Sequence, residues 1–417
     1  MQTDLAEFIK NTPQGREADA ILRSCVHCGF CAATCPTYQL LGDELDGPRG
    51  RIYLIKQILE GNPVSEKTQR HLDRCLTCRA CETTCPSGVR YHRLLDIGRE
   101  VLEQRVRRAG KERMLRFLLA QTVPRRRLFA AAVGIGRGLR PLLPQTLARK
   151  VPPAVAQTIV RPRPGRHDRR MLLLAGCVQP TLAANTNLAT ARVFDRLGIE
   201  LIETPGAGCC GALRHHLQGR QAALDDMRRL IDVWWPQVDQ GVEAIVITAS
   251  GCGAQIRQFG ELLKDDVRYA AKASRIAALA HDVSEVLTAE QEALLPQLRR
   301  RTASATQRVA FHAPCTLQHA QRINGLAESL LTAAGYRLLP VADAHLCCGS
   351  AGTYSLLQPA LATRLRDNKL AALLADEPAV LATANVGCQT HLQSGCQQPV
   401  RHWIELIDER LQEQSSD

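Results

Sequence analysis

Two cysteine runs constrain this chain more than any other feature. Cys25 to Pro36 reads C-V-H-C-G-F-C-A-A-T-C-P and Cys75 to Pro86 reads C-L-T-C-R-A-C-E-T-T-C-P, so C-x2-C-x2-C-x3-C-P occurs twice. Three thiolates in so tight a loop take three corners of one [4Fe–4S] cube, while the fourth points along the chain toward the other cube. The spacing therefore assigns Cys25, Cys28, Cys31 and Cys85 to one cluster, and Cys75, Cys78, Cys81 and Cys35 to a second. Zinc and structural thiols are the alternatives. Zinc sites usually pair one short C-x2–4-C knuckle with a distant second pair, whereas here two close quartets each end in proline. Disulfides do not suit a chain whose first residues, Met1-Gln2-Thr3-Asp4-Leu5, lack the basic and apolar regions of an export signal.

The stretch between the quartets carries helical periodicity. Ile52, Ile55, Ile58 and Leu59 recur at that spacing and are stopped by Gly61 and Pro63. Glu66 to Arg74 predicts a second helix that delivers the second quartet, and about His92 to Arg107 a third. This favours an α-helical ferredoxin domain, over residues 1–107, rather than the small β-hairpin type.

The chain has 417 residues and a net charge of +12, and one segment holds the excess. Arg99 to Arg170 contains nineteen Lys/Arg against four Asp/Glu, or +15, leaving the remainder at −3. Within it, Met114, Phe117 and Leu118 fall on one helical face with arginines on the other, followed by Pro124-Arg125-Arg126-Arg127. Prolines at 141, 144, 152, 153, 162 and 164 predict a linker or short helices, so residues 108–170 form a basic amphipathic, proline-rich connection. Two readings stay open: docking on an anionic membrane surface or a partner, or a solvated linker whose apolar face packs on the protein's own domains. Nucleic acid is not expected, because aromatics make up 4% of the chain and no base-stacking or helix-turn-helix signature accompanies the charge. Gly134-Ile135-Gly136-Arg137-Gly138 follows no strand and is not a dinucleotide loop. No apolar run is long enough to span a bilayer.

From Met171 the chain repeats itself. A strand from Met171 to Gly176 leads to Cys177, a strand from Ile199 to Ile202 leads to Cys209-Cys210-Gly211, and a strand from Ala244 to Thr248 leads to Cys252. The second unit follows the same order: Arg308–His312 then Cys315, Tyr336–Pro340 then Cys347-Cys348-Gly349, and Ala379–Thr383 then Cys388. The intervals agree, with 32 residues from Cys177 to Cys209 and from Cys315 to Cys347, then 42 from Cys210 to Cys252 and 40 from Cys348 to Cys388. In a parallel α/β layer ligands collect outside the carboxyl ends of strands. Cys177, Cys209, Cys210 and Cys252 are thus candidates for one shared site, and Cys315, Cys347, Cys348 and Cys388 for another. Small cysteines that merely pack at strand ends are the alternative. The expected fold class is α+α/β, an α-helical ferredoxin domain followed by Cys-Cys-Gly domains over residues 171–300 and 301–417.

This combination resembles the iron–sulfur subunits of membrane-associated flavoprotein dehydrogenases, the glycolate oxidase (glycolate dehydrogenase) family above all. The resemblance rests on both quartets and on Gly47-Pro48-Arg49-Gly50-Arg51, Gly206-Ala207-Gly208-Cys209-Cys210-Gly211 and His312-Ala313-Pro314-Cys315. It covers nearly the whole chain. It implies that glycolate is oxidised on a separate FAD subunit, with a second flavoprotein-like subunit in the complex. This chain would pass the electrons toward quinone at the cytoplasmic face of the inner membrane. D-lactate and glycerol-3-phosphate dehydrogenases, and the Cys-Cys-Gly protein of heterodisulfide reductase, share the pattern. Heterodisulfide reductase ends each repeat in C-x-x-C, whereas Cys252-Gly253-Ala254-Gln255 and Cys388-Gln389-Thr390-His391 lack the last cysteine. An additional cluster in a Cys-Cys-Gly domain is therefore a candidate, with His391 and Cys396 as substitute ligands.

Histidines offer further candidates. His215, His216, His312, His319 and His345 lie near the Cys-Cys-Gly cysteines and could tune a cluster, ligate it or carry protons, as well as being ordinary loop histidines. His27 lies inside the first quartet and is expected to crowd the cluster. No nucleophile elbow, P-loop or zinc-protease helix occurs, so no catalytic residue is assigned.

Overall fold

The computed structural model describes residues 1–142, 161–299 and 307–412. Pro144, Pro152, Pro153, Arg149 and Lys150 of the basic segment lie outside the described residues.

The first 107 residues are helical, as their periodicity predicts. Helices α1 (Pro13–Ser24), α2 (Pro48–Leu59), α3 (Glu66–Asp73) and α4 (Tyr91–Arg105) enclose a core of Leu22, Ile55, Ile58, Leu72, Leu94 and Leu95. Each such aliphatic side chain contributes roughly 1.5–3 kcal/mol on burial. Pro13 and Pro48 stand in the first turns of their helices, where a missing N–H costs nothing. Helices α2 and α4 cross closely at Gly98, where an added Cβ would sit 2.7 Å from Ile55 Cγ1. Gly50 is tighter still, since its Cβ would lie 2.1 Å from the Glu44 carbonyl oxygen. Two glycines thus let the helix carrying Arg51 approach both α4 and the segment after the first quartet.

The basic segment contributes two helices, α5 (Gly110–Thr122) and α6 (Arg126–Leu139), and neither buries a residue. Arg116 is turned toward the protein and pairs with Asp73 at 3.3 Å. Met114 and Phe117 on the opposite face are 59% and 58% exposed. The apolar stripe therefore faces outward rather than packing on the protein's own domains. Gly134 to Gly138 is helical, within α6.

Two four-stranded parallel sheets follow, in matching order. Strands β1 (Arg169–Leu173), β2 (Ile199–Ile202), β3 (Ile245–Ile247) and β4 (Ala280–Asp282) lie as β2-β1-β3-β4. Strands β5 (Arg308–His312), β6 (Arg337–Leu339), β7 (Val380–Thr383) and β8 (Val400–His402) lie as β6-β5-β7-β8. The α+α/β class and the repeat are borne out. The first strand is displaced toward the N-terminus of its expected span, and the edge strands β4 and β8 were not expected. Leu172 pairs with Ile202 and Ile245, as Val309 pairs with Leu338 and Val380. The crossover helices include α7 (Ala184–Arg196) and α8 (Arg220–Asp239) in the first unit. The second unit has α10 (Leu326–Ala333) and α11 (Pro359–Leu374), with α13 (Trp403–Gln412) after β8. Short helices α9 (Ser250–Ile256) and α12 (Val386–Gln393) follow β3 and β7.

The units share one core, in which Val193, Phe194 and Val246 pack with Val309, Val380, Trp403 and Ile407. Their strand ends meet, with the Ser250 N–H donating to the Ala384 carbonyl at 3.2 Å and His402 Nε2 lying 2.8 Å from the Thr248 carbonyl.

Candidate metal centres

The two quartet loops have the same backbone shape. His27 and Thr77, each just before the second cysteine, have φ of 56° and 53°, and Gly29 and Arg79, each just after it, have 87° and 63°. A non-glycine residue held left-handed costs about 1–2 kcal/mol. Paying it at His27, Thr77 and Arg79 bends each loop so that its thiols converge.

The structure brings Cys25, Cys28, Cys31 and Cys85 to one cavity, lined also by Cys81, Arg49 and Tyr91. Cys28 is exposed there, so this outer cavity opens to the surface. His27 lines the same cavity, with Nε2 3.0 Å from Met1 Sδ. Burial, then the neighbouring Cys25 thiol, pushes Cys31 up to about 11. Cys75, Cys78, Cys81 and Cys35 form the inner group. Burial and then neighbouring thiols hold Cys78 and Cys81 well above the usual range, with Cys315 next to Cys78 and Cys78 next to Cys81. Such thiols stay protonated unless a metal replaces the proton. Buried sulfurs converging from two loops, beside fixed positive charge, suit an anionic thiolate-bound cluster.

That charge comes from a residue whose role the sequence did not announce. Arg51 is 1% exposed, donates to the His71 carbonyl at 2.7 Å and to Thr37 Oγ1 at 3.1 Å, and faces Asp46 at 3.4 Å. Burial alone would lower its pKa, but Cys75, Tyr91, Cys35 and Asp46 together hold it above the usual range. Thr37 Oγ1 in turn lies 3.3 Å from Cys35 Sγ. Around Cys75, the Tyr91 hydroxyl donates to the sulfur at 3.6 Å and Arg99 to the carbonyl at 3.0 Å. The Gly-Pro-Arg-Gly-Arg motif was legible, but the side chain reaching the inner quartet was not.

The Cys-Cys-Gly motif has a local cause. Gly211 and Gly349 have φ of 84° and 87°, and a Cβ would lie 2.9 Å from the Ala223 carbonyl oxygen and 2.7 Å from that of Ala362. Only glycine meets both demands. Its N–H donates to the first cysteine of the pair at 3.4 Å in both units, to Cys209 and to Cys347. In the first unit the free thiol of Cys177 neighbours Cys209, and that of Cys210 neighbours Cys209 and Cys252. Donation from Cys177 and Cys210 holds Cys209 well below the ordinary thiol range, aided by Gly211 N–H and Arg214. In the second unit Cys315 and Cys347 lie 3.7 Å apart, and Cys348 bonds to Cys347 and Cys388.

The histidines divide. His312, the last residue of β5, has a ring nitrogen within 4.8 Å of the Cys348 and Cys388 sulfurs. His216 is exposed, and His215 Nε2 lies 3.8 Å from Asp96. His319 bridges to the helical domain, its Nδ1 2.7 Å from Thr83 Oγ1 and its Nε2 2.9 Å from the His345 carbonyl. His391 lies 3.2 Å from the Ala362 carbonyl oxygen. Cys396 packs in the apolar cluster of Cys348 and Cys388, with its thiol toward the Leu392 and Gln398 carbonyls at 3.5 Å.

Two known domain families match parts of the chain. Residues 21–89 match the 4Fe-4S dicluster domain, and residues 171–257 and 309–393 match the Cysteine-rich domain. The chain is 55% identical to the Glycolate oxidase iron-sulfur subunit of Escherichia coli (strain K12), over 99% of this chain and 100% of that protein. It is 29% identical to the Probable glycolate oxidase iron-sulfur subunit of Bacillus subtilis (strain 168), over 93% and 92%. It is 26% identical to Lactate utilization protein A of Bacillus velezensis, over 52% of this chain and 88% of that protein.

Proposed function

The chain belongs to the family of glycolate oxidase iron–sulfur subunits, and from that premise we propose that it conducts electrons within a complex oxidising glycolate to glyoxylate. The observation that carries this reading is the seating of the quartets. The outer cavity reaches the surface at Cys28, while the inner group runs through Cys78 to Cys315 of the second Cys-Cys-Gly domain. Cys25, Cys28, Cys31 and Cys85 would hold one [4Fe–4S] cluster, and Cys75, Cys78, Cys81 and Cys35 the other. When bound, such clusters supply one-electron redox chemistry, which lets a two-electron oxidation on a flavin leave as single electrons. Arg51 and the Tyr91 hydroxyl set positive charge and a donor against the inner thiolates. Leu76, Tyr354, Leu361 and Leu365 keep water from them.

In this reading the substrate is handled by a separate FAD subunit, with a second flavoprotein-like subunit, and quinone is the acceptor. No helix among the described residues is long and apolar enough to cross a membrane. Attachment would come instead from α5 and α6, where Met114, Phe117, Leu118 and Ile135 are exposed and so are Arg125, Arg126 and Arg127 at the start of α6. An apolar stripe flanked by cations suits the anionic headgroups on the cytoplasmic face of the inner membrane.

The test separates the two half-reactions. In the purified complex, Cys28→Ser and Cys75→Ser should leave glycolate oxidation by a flavin-accepting dye intact while abolishing quinone reduction. Quinone reduction at the wild-type rate in both variants would overturn the reading.

A further inference from the structure

We propose that His312, Cys348 and Cys388 form a mononuclear metal site of the zinc(II) type in the second Cys-Cys-Gly domain, and that the first domain has no equivalent. The site is independent of the electron-transfer reading and needs none of the eight quartet cysteines.

The geometry is that of a preformed triad. His312 is 2% exposed, Cys348 1% and Cys388 4%, and one ligand atom from each lies within 4.8 Å of the others. Zinc holds sulfur at about 2.3 Å and imidazole nitrogen at about 2.0–2.1 Å, so one ion can reach all three after a small closure. An imidazole nitrogen with two thiolates is also a donor set that borderline-soft divalent ions prefer.

The second observation is the state of the imidazole. Among the described residues neither His312 Nδ1 nor Nε2 has a hydrogen-bond partner, although both are sealed from solvent. An unsatisfied buried polar group costs about 1–3 kcal/mol, and a metal ion would remove that cost at one nitrogen. Lys369 stands nearby, 4% exposed, with Nζ donating to the Asp343 carbonyl at 2.6 Å. Its ammonium faces the thiols of Cys315, Cys347 and Cys348, a positive charge beside sulfurs that would give up their protons to a metal. Asn385 Nδ2 lies 3.5 Å from Cys388 Sγ and orients it from outside.

The repeat supplies the contrast. Counting back three residues from Cys315 gives His312, and from Cys177 gives Leu174, a buried aliphatic residue. Two domains with closely matching cysteine intervals thus present different donor sets. Three protein ligands leave a fourth tetrahedral position, the pattern of an open rather than a closed site.

The test uses the full chain purified in its native complex, with metal analysis and X-ray absorption at the edge of any non-iron metal found. Wild type should carry about one such ion per chain, with scattering from one imidazole and at least two sulfurs. His312→Leu, which installs the residue of the first domain, should lose that ion while retaining the iron of the dicluster domain. His312→Cys should keep it with sulfur scattering alone. Absence of the ion from wild type, an all-sulfur shell in wild type, or iron–iron scattering assigned here by its loss in Cys388→Ser would overturn the proposal. If His312→Leu fails to fold, the wild-type coordination shell still decides.

Discussion

Cys78 of the inner quartet packs against Cys315 at the end of β5, in one apolar cluster with Leu76, Cys347, Tyr354 and Leu365. The helical domain and the second Cys-Cys-Gly domain therefore meet at their cysteines. Tyr354 seals this seam, its hydroxyl donating to the Arg74 carbonyl at 3.1 Å. Tyr354→Ala should destabilise the chain by about 3–5 kcal/mol and hasten bleaching of the inner cluster by oxygen. Tyr354→Phe, which loses one hydrogen bond, should cost about 1 kcal/mol and leave bleaching unchanged. Denaturant midpoints and anaerobic-to-air absorbance decay check both.

Arg51 answers a different need. It neutralises the buried surroundings of Cys35 and Cys75 and ties α2 to the His71 carbonyl. Arg51→Met should cost about 1–3 kcal/mol, because the His71 carbonyl and Thr37 lose a buried donor while Asp46 keeps its pair with Arg74 at 2.6 Å. Labile sulfide should fall toward half as the inner cluster is lost. Arg51→Lys should recover little, since an ammonium cannot span the same partners. Undiminished sulfide in Arg51→Met would show that the charge is dispensable.

The outward stripe of α5 and α6 predicts binding to anionic vesicles that weakens with salt. Replacing Arg125, Arg126 and Arg127 by Glu removes three cations, each worth about 1 kcal/mol near such a surface, so affinity should drop a hundredfold or more. Phe117→Glu should weaken binding with a smaller change in salt dependence. Vesicle flotation reads both, and full retention of the triple variant at low salt contradicts membrane docking.

Asp282 gives a pH dependence with a definite sign. Burial pushes its carboxyl up to about 6, against the hydrogen bonds from Ser284 that favour the ionised form, and Oδ2 has no partner among the described residues. Because the folded value exceeds the unfolded value of about 3.9, its contribution is fully present below pH 4 and is lost as pH rises through 6. Asp282→Asn keeps an acceptor for Ser284 and removes the charge. Relative to wild type it should therefore gain about 1–3 kcal/mol between pH 4.5 and pH 8. Urea midpoints at the two pH values measure this.

What the sequence disclosed follows from how local each feature is. Cluster-type spacing is dictated within a single loop, so the quartets could be read directly. The repeat was legible because each Cys-Cys-Gly follows a strand at a matched interval. Strands β4 and β8 escaped because three residues such as Ala280-His281-Asp282 carry no alternating pattern and owe their pairing to Ile245–Ile247 alongside. Arg51 could be read only as the end of a Gly-Pro-Arg-Gly-Arg motif, because its burial follows from the close approach of Gly50 to Glu44 in the folded chain. His312 could be named with the other histidines, but its unpartnered nitrogens and the approach of Cys348 and Cys388, which follow β6 and β7, arise only in the folded chain.

The central claim is that electrons from glycolate pass through this chain. Its most direct test is anaerobic isolation of the tagged chain from native membranes, followed by cluster absorbance as glycolate, D-lactate and glycerol 3-phosphate are added in turn. An FAD-containing complex is expected, with cluster absorbance that bleaches with glycolate and recovers with quinone. Co-purification without flavin, or an absorbance that glycolate leaves unchanged, would contradict it.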